Sequence, residues 1–359
     1  MKIIVIGAGI MGALMSYRLA EAGADVTLLE AGQPASAASG ASFGWINANF
    51  FLNEDHFRLR FAGIDAHRRL LRDLGTRAIG WPGALVWEEQ GGRFDAQYNT
   101  LKELGYSVRV VDAAEFATLE PHVVPPERAL LFEEEAVVDL VALTWDALCA
   151  ATASGAKLIA GVRATNLVVG NGKIVGVRTD AGDLQADQVV VSAGVGTQAL
   201  LQNVDVPVPM LHRPGLILRS EVSPPLLHHV LAAPDQELRQ TPEGYLLAPT
   251  AANHQADDAD RIAETPDVLA DRATLRVQKM LDRPFRWERV SMAERPMPED
   301  GLPVIGPCGP QGLYAVTMHS GATLAPLVAE LATAEIMGVG LSGERTRLLS
   351  PYRPQRFTE

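Results

Sequence analysis

Three stretches of this 359-residue chain hold residues whose types and spacing could do chemistry. Near the N-terminus, Gly7-Ala8-Gly9-Ile10-Met11-Gly12 forms a GxGxxG between the apolar run KIIVIG and the helically spaced MGALMSYRLAEAG. Glu30 closes the next run, DVTLLE. In such a fingerprint the first glycine allows a tight turn. The second admits a pyrophosphate to the backbone, and the third lets helix and strand pack closely. The helix N-terminus then faces the phosphates, and the acid accepts from ribose hydroxyls. An acid at that position prefers an unphosphorylated ribose, so NAD and FAD are the candidates, and the fingerprint alone does not separate them.

Near the other end, Arg295 stands against Pro296 in ERPMPEDGLPVIG, residues 294–306. A guanidinium offers a planar fork that suits a carboxylate and stays charged when desolvated. The same arginine could equally be a charge at a bend, paired with Glu294, Glu299 or Asp300. The third stretch, HSGATLAP (319–326), reads as a helix start, with Thr323 as N-cap and Pro326 in the first turn. Free N–H groups would point at whatever lies ahead of it, and Gly321 would allow close approach.

The elements that must position these residues follow from periodicity. Residues 2–7, 11–23 and 25–30 read as strand, helix and strand, with Met11, Met15, Leu19 and Ala22 on one side of the helix. A small polar loop, QPASAASGASFGWINAN, follows. Residues 53–75 read as an amphipathic helix with Asn53 as N-cap and Phe57, Phe61, Ile64 and Leu71 on one stripe. Short strands and turns occupy 80–135, and a helix is expected at 140–154. Asn171-Gly172 between alternating runs is a hairpin signal. QVVVSAG (188–194) reads as a buried strand, whereas 201–294 holds strand-like pieces such as GLILRSEV and EGYLLAPT. After 294 the glycine-punctuated style returns, and 312–338 reads as strand, glycine turn and long helix. The pattern predicts two domains interleaved in sequence.

Composition narrows the partners. A net charge of −12, with 47% hydrophobic and 21% charged residues, argues against nucleic acid or an anionic membrane as main partner. Cys149 and Cys308 lack disulfide or metal spacing and fit a reducing, cytoplasmic setting. The histidines, including His228-His229 and His254, show no metal spacing, and no metal is expected. MKIIVIGAGIMGALM could pass for a secretion signal, but its spaced glycines and lack of a cleavage site favour the strand reading. No stretch reaches the roughly 18–20 uninterrupted apolar residues that a membrane span needs.

Taken in order, VIGAGIMG…VTLLE, SAASGASFG, GVRATNLVVGNGKIVGV…ADQVVVSAG and RPMPEDGLPVIG…LYAVTMHSGATLAP resemble the D-amino acid oxidase, glycine oxidase and sarcosine oxidase family of flavoproteins. The resemblance implies an α/β fold: a Rossmann-like FAD-binding domain (1–48, 136–200, 295–359) interleaved with a substrate domain (49–135, 201–294) on a mostly antiparallel sheet. It implies extended FAD and oxidation of a carbon–nitrogen bond by hydride transfer to the flavin. The substrate would be an amino acid or N-substituted amino acid, and the acceptor oxygen or another electron carrier. Ser39 and Gly40 would lie beside the cofactor, Val162 at the adenine, and Ala193-Gly194 around it. His319, Ser320, Gly321, Ala322 and Thr323 would face the flavin, the helix terminus stabilising the negative N1–C2=O edge of its reduced form. Met292 and Gly44 stand where some relatives carry flavin-linking cysteine and histidine, so the FAD is expected to be non-covalent.

The same frame makes Arg295 the carboxylate clamp. His319 could touch substrate, tune the flavin or only bond the backbone, and Tyr245 could offer a hydroxyl to the carboxylate. Asn47 and Asn49 could line the site. A dehydrogenase subunit passing electrons to a partner chain or quinone, a non-catalytic flavin-binding subunit and a nicotinamide enzyme are the alternatives. APTAANHQADDADR departs from the glycine-rich signal of the family at that point.

Overall fold

In the computed structural model, which describes residues 1–252, 260–341 and 343–358, the β-branched run Lys2–Ile6 is a strand with Ile3 to Ile6 buried. It sits inside a six-stranded sheet of order Val304–Pro307, Leu313–Thr317, Gln188–Val191, Lys2–Ile6, Asp25–Glu30 and Lys157–Ala160. All neighbours are parallel except the Val304–Pro307 edge. Apolar runs without alternation fit this, since both faces are covered. One face carries helices α1 (Ile10–Glu21), α2 (Glu54–Leu74), α3 (Leu140–Ala153) and α4 (Gly321–Ile336); α1 packs on α3 and α4, and α2 on α4. The other face is covered by an antiparallel sheet, Ala164–Gly170, Lys173–Thr179 and Gly182–Gln185. Its tight turn has Asn171 and Gly172 at φ 52° and 74°, as a two-residue hairpin of this sequence requires.

A second sheet of eight strands has the order Trp287–Glu294, Pro214–Val222, Tyr245–Pro249, Gln236–Gln240, Val230–Ala233, Ala84–Val86, Arg128–Phe132 and Arg109–Asp112. It is antiparallel but for the Val230–Ala233 and Ala84–Val86 pair. Alternation assigns its faces. Leu218, Leu238, Leu246 and Ala248 pack with Ala273 and Val277 of the helix Pro266–Leu281. The intervening residues point the other way, toward the first sheet's loops.

Helix α2 starts as read: Asn53 Oδ1 accepts from the His56 backbone N–H, and Gly75 closes the helix at φ 61°. The start of α4 corrects the sequence reading. Ser320 precedes it, and Thr323 and Pro326 both lie inside. Thr323 does not cap because its hydroxyl serves the chain alongside, accepting from the Asn47 backbone N–H at 3.2 Å. Pro326 is tolerated because the carbonyl it would have served, Ala322, receives His67 Nε2 at 2.8 Å.

Candidate active site

At the fingerprint, Gly7 adopts φ 99°, and a Cβ there would lie 2.6 Å from the Ser192 carbonyl oxygen and 2.9 Å from Ala193 Cα. A Cβ on Gly12 would fall 1.8 Å from the Gly7 oxygen. Both glycines are therefore demanded by close backbone packing. Glu30 spans the loop, accepting from the Ala8 N–H and the Gly32 N–H, each at 2.8 Å. Val162 donates its N–H to the Glu30 carbonyl at 3.0 Å. Ser39 Oγ accepts from the Ile10 N–H at 3.0 Å, and a Cβ on Gly9 would approach it to 3.2 Å. Gly9 precedes α1 without a capping side chain, followed by Ile10 and Met11. Gly40 packs on the Ala35 carbonyl, and Gly194 lies 3.9 Å from Pro296 by its would-be Cβ. These residues fit a dinucleotide: open backbone at a helix N-terminus, with a carboxylate on the neighbouring strand.

A cavity of about 370 Å³ lies where this loop region meets the second sheet. The sheet contributes Gly215, Ile217, Glu237, Pro249 and Ala293; α2 contributes His56 and Arg60; the approach to α4 contributes His319, Ser320, Ala322 and Thr323. Arg295 lines it from the chain just beyond Trp287–Glu294. Its backbone N–H donates to the Arg213 carbonyl at 2.9 Å and its Nε to the same oxygen at 3.2 Å. The side chain lies across Gly215, where a Cβ would come within 3.4 Å of its Cδ and Nε. Of the acids named as alternatives for it, Glu294 meets His212 at 2.6 Å and Asp300 meets Arg356 at 2.7 Å.

Other expectations are redistributed. Tyr245 does not line the cavity; it sits four residues before Pro249 on the same strand, its ring under the Arg219 guanidinium at 4.2 Å. That strand reaches the cavity by its opposite end, at Pro249. Asn47 lines the cavity, whereas Asn49 turns behind it to Glu135. Met292 is exposed and outside the lining. Gly44 lines the cavity at φ 70°, and a Cβ there would meet the Val138 oxygen at 2.1 Å, so no flavin-linking histidine fits. Burial pushes the Cys308 thiol up to about 12, and neither cysteine lines the cavity. No metal cluster occurs among the described residues, and His254 lies outside them. No described helix is long and apolar enough to cross a membrane.

A profile of the FAD dependent oxidoreductase family, DAO, matches residues 2–335. The chain belongs to this family. It is 28% identical to the uncharacterized oxidoreductase YurR of Bacillus subtilis (strain 168), over 98% of each chain. It is 25% identical to a D-amino-acid oxidase of Bradyrhizobium diazoefficiens, again over 98% of each. In fold it is similar to the glycine oxidase of Geobacillus kaustophilus, with a TM-score of 0.87, 20% identity, and coverage of 99% of this chain and 98% of that one.

This FAD-dependent oxidoreductase carries a buried polar cluster behind its cavity that periodicity did not identify. Arg60 is 5% exposed. It donates through Nη1 to Ser320 Oγ at 2.6 Å and through Nη2 to Asn47 Oδ1 at 2.5 Å. Burial pulls its guanidinium down to about 10, opposed by Glu135, so it stays charged at neutral pH. Glu135, wholly buried, accepts from Trp45 Nε1, Asn49 Nδ2 and the Tyr106 hydroxyl at 2.9, 3.2 and 2.9 Å. Burial raises it to about 8, opposed by the Tyr106 and Trp45 hydrogen bonds and by Arg60. One turn before Arg60, His56 Nδ1 accepts from the Leu52 N–H at 3.3 Å. Burial, then the Arg60 charge, lowers His56 to about 3, which keeps it neutral. The signal was present in the sequence: Arg60 falls three residues after Phe57 and four before Ile64, on the apolar stripe of α2. A charge at such a position needs buried partners.

Proposed function

We propose that this chain uses non-covalent FAD to oxidise the carbon–nitrogen bond of an amino acid or N-substituted amino acid. One observation carries the reading: a single cavity is shared by Arg295, just beyond the edge strand of the second sheet, and by the start of α4 beside Arg60. The first suits a carboxylate. The second gathers the N–H groups of a helix N-terminus and a desolvated guanidinium, a setting for negative charge on the cofactor. FAD supplies the hydride acceptor, which no side chain here could be.

The chain's own part is alignment. Arg295 fixes the substrate carboxylate, the apolar walls from Ile217, Pro249 and Phe50 exclude water, and Arg213 adds positive charge to the lining. Glu30, Ser39 and the backbone of Gly9 to Gly12 hold the dinucleotide end. The names of the D-amino-acid oxidase and glycine oxidase relatives support the substrate class.

Anaerobic mixing of the yellow holoprotein with a panel of amino acids tests this. Bleaching of the flavin by a member of the panel is expected, and peroxide after admission of air would mark oxygen as the acceptor. Bleaching without peroxide, reversed by a redox dye, would mark a dehydrogenase. A panel that leaves the spectrum unchanged refutes the proposal.

A further inference from the structure

Glu237 is the only carboxyl that lines the cavity among the described residues. It is 5% exposed, and no described residue donates a hydrogen bond to its side chain. A carboxyl so placed is costly unless a ligand supplies the missing donor. Its surroundings do not relieve it. Glu88, just beyond the Ala84–Val86 strand, adds a like charge. Arg239, two residues on, turns its Nε to the Phe43 carbonyl. Across the cavity, Arg60 serves Asn47 and Ser320 and Arg295 lies over Gly215, with His56, Arg213 and His319 completing the titratable lining.

Register sets the spacing. Ile217 pairs with Pro249, and Arg239 pairs with Leu247; two residues on, that register puts Glu237 beside Pro249. Gly215, under the Arg295 side chain, is therefore two strands and one pleat from Glu237, roughly 12 Å between backbones at ordinary sheet dimensions. Both positions share the face of the sheet that lines the cavity, so the Glu237 carboxyl and the Arg295 side chain stand on opposite sides of a space that a small zwitterion can bridge.

We infer that Glu237 receives the substrate's amine: it pairs with the ammonium of the amino acid whose carboxylate Arg295 holds, and takes its proton. The inference rests on the reading under Proposed function. An N–H bond of the ammonium breaks, its electron pair stays on nitrogen, and the proton forms an O–H bond on the Glu237 carboxylate. The neutral amine that remains has the lone pair that oxidation of its α C–H bond draws on. Burial, reinforced by Glu88, raises Glu237 to about 8, near the range of about 8 to 10 for an ammonium, so the proton passes at little cost.

The test is anaerobic flavin reduction at low substrate, followed against pH in the holoprotein and in two variants. In the wild type the rate rises about tenfold per pH unit up to about 8 and then levels, as one proton too many is lost from the pair. Glu237→Gln should slow reduction at least tenfold at pH 8 and move the rise to the substrate amine's own pKa. It should bind propionate, which has no amine, within about twofold of wild type by flavin absorbance. Glu88→Gln should move the rise to lower pH and lower the plateau, since a weaker base takes the proton at more cost, and this arm decides alone if Glu237→Gln fails to hold FAD. A Glu237→Gln profile superposed on the wild type, or a Glu88→Gln rise that does not move, overturns the role of Glu237 while oxidation stands. A wild type that no amino acid bleaches overturns both.

Discussion

His67 donates from Nε2 to the carbonyl oxygen of Ala322 at 2.8 Å, joining the middle of α2 to the first turn of α4. In an unbroken helix that carbonyl would serve the N–H four residues on, but residue 326 is proline and has none. The acceptor is a carbonyl, so the proton sits on Nε2. Burial lowers His67 to about 4 and keeps it neutral. Its replacement by leucine should leave a buried acceptor unmet and cost about 1–3 kcal/mol. Thermal melting and FAD affinity check this: both should fall, and His67→Gln should recover part of the loss. A leucine variant that melts and binds like wild type would contradict it.

The same histidine gives a pH dependence. His56 and His67 have folded values of about 3 and 4, below the ordinary 6.5. The unfolded chain therefore binds more protons as pH falls below about 6.5, and stability drops until about pH 3–4. Urea unfolding across that range should show a shallower acid limb in His67→Gln than in wild type. Equal slopes would mean that His67 titrates normally.

Gly63 sits under α4: a Cβ there would come 2.7 Å from the Thr323 carbonyl oxygen. Alanine is favoured by about 1 kcal/mol in a helix interior, so Gly63→Ala would stabilise a helix with free space. Here it should lower the melting temperature and weaken FAD retention, because α2 must move off the turn that faces the cavity. A higher melting temperature would show that the backbone yields without cost.

Arg60→Met removes the cation beside Ser320. The flavin potential should fall by about 30 mV or more, and sulfite should bind at least tenfold more weakly, since both report stabilisation of a negative flavin. Arg60→Lys should be intermediate. Unchanged sulfite affinity in Arg60→Met would assign Arg60 to packing with Asn47 alone.

For Arg295→Ala, flavin reduction at low substrate should fall at least a hundredfold, the loss expected when a desolvated carboxylate loses a charged partner. Arg295→Lys should restore only part, because an ammonium lacks the planar fork. Reduction as fast as wild type would remove Arg295 from the carboxylate site.

What the sequence determined by itself was local and periodic. The Asn53 cap and the Asn171-Gly172 hairpin depend on neighbours within a few residues, and the GxGxxG with Glu30 on a single β–α–β unit, so short-range pattern was enough to place them. The motif order carried the family, which the match over residues 2–335 shows. Tertiary structure decided the rest of the candidate site. Which end of the Tyr245–Pro249 strand meets the cavity depends on how the second sheet lies over the α4 terminus, so Pro249 lines it and Tyr245 does not. Whether Thr323 caps a helix depended on Asn47, 276 residues away in sequence. Arg60 and Glu237 gain their meaning only from burial, which removes the water that would otherwise satisfy them, and no spacing along the chain records that loss.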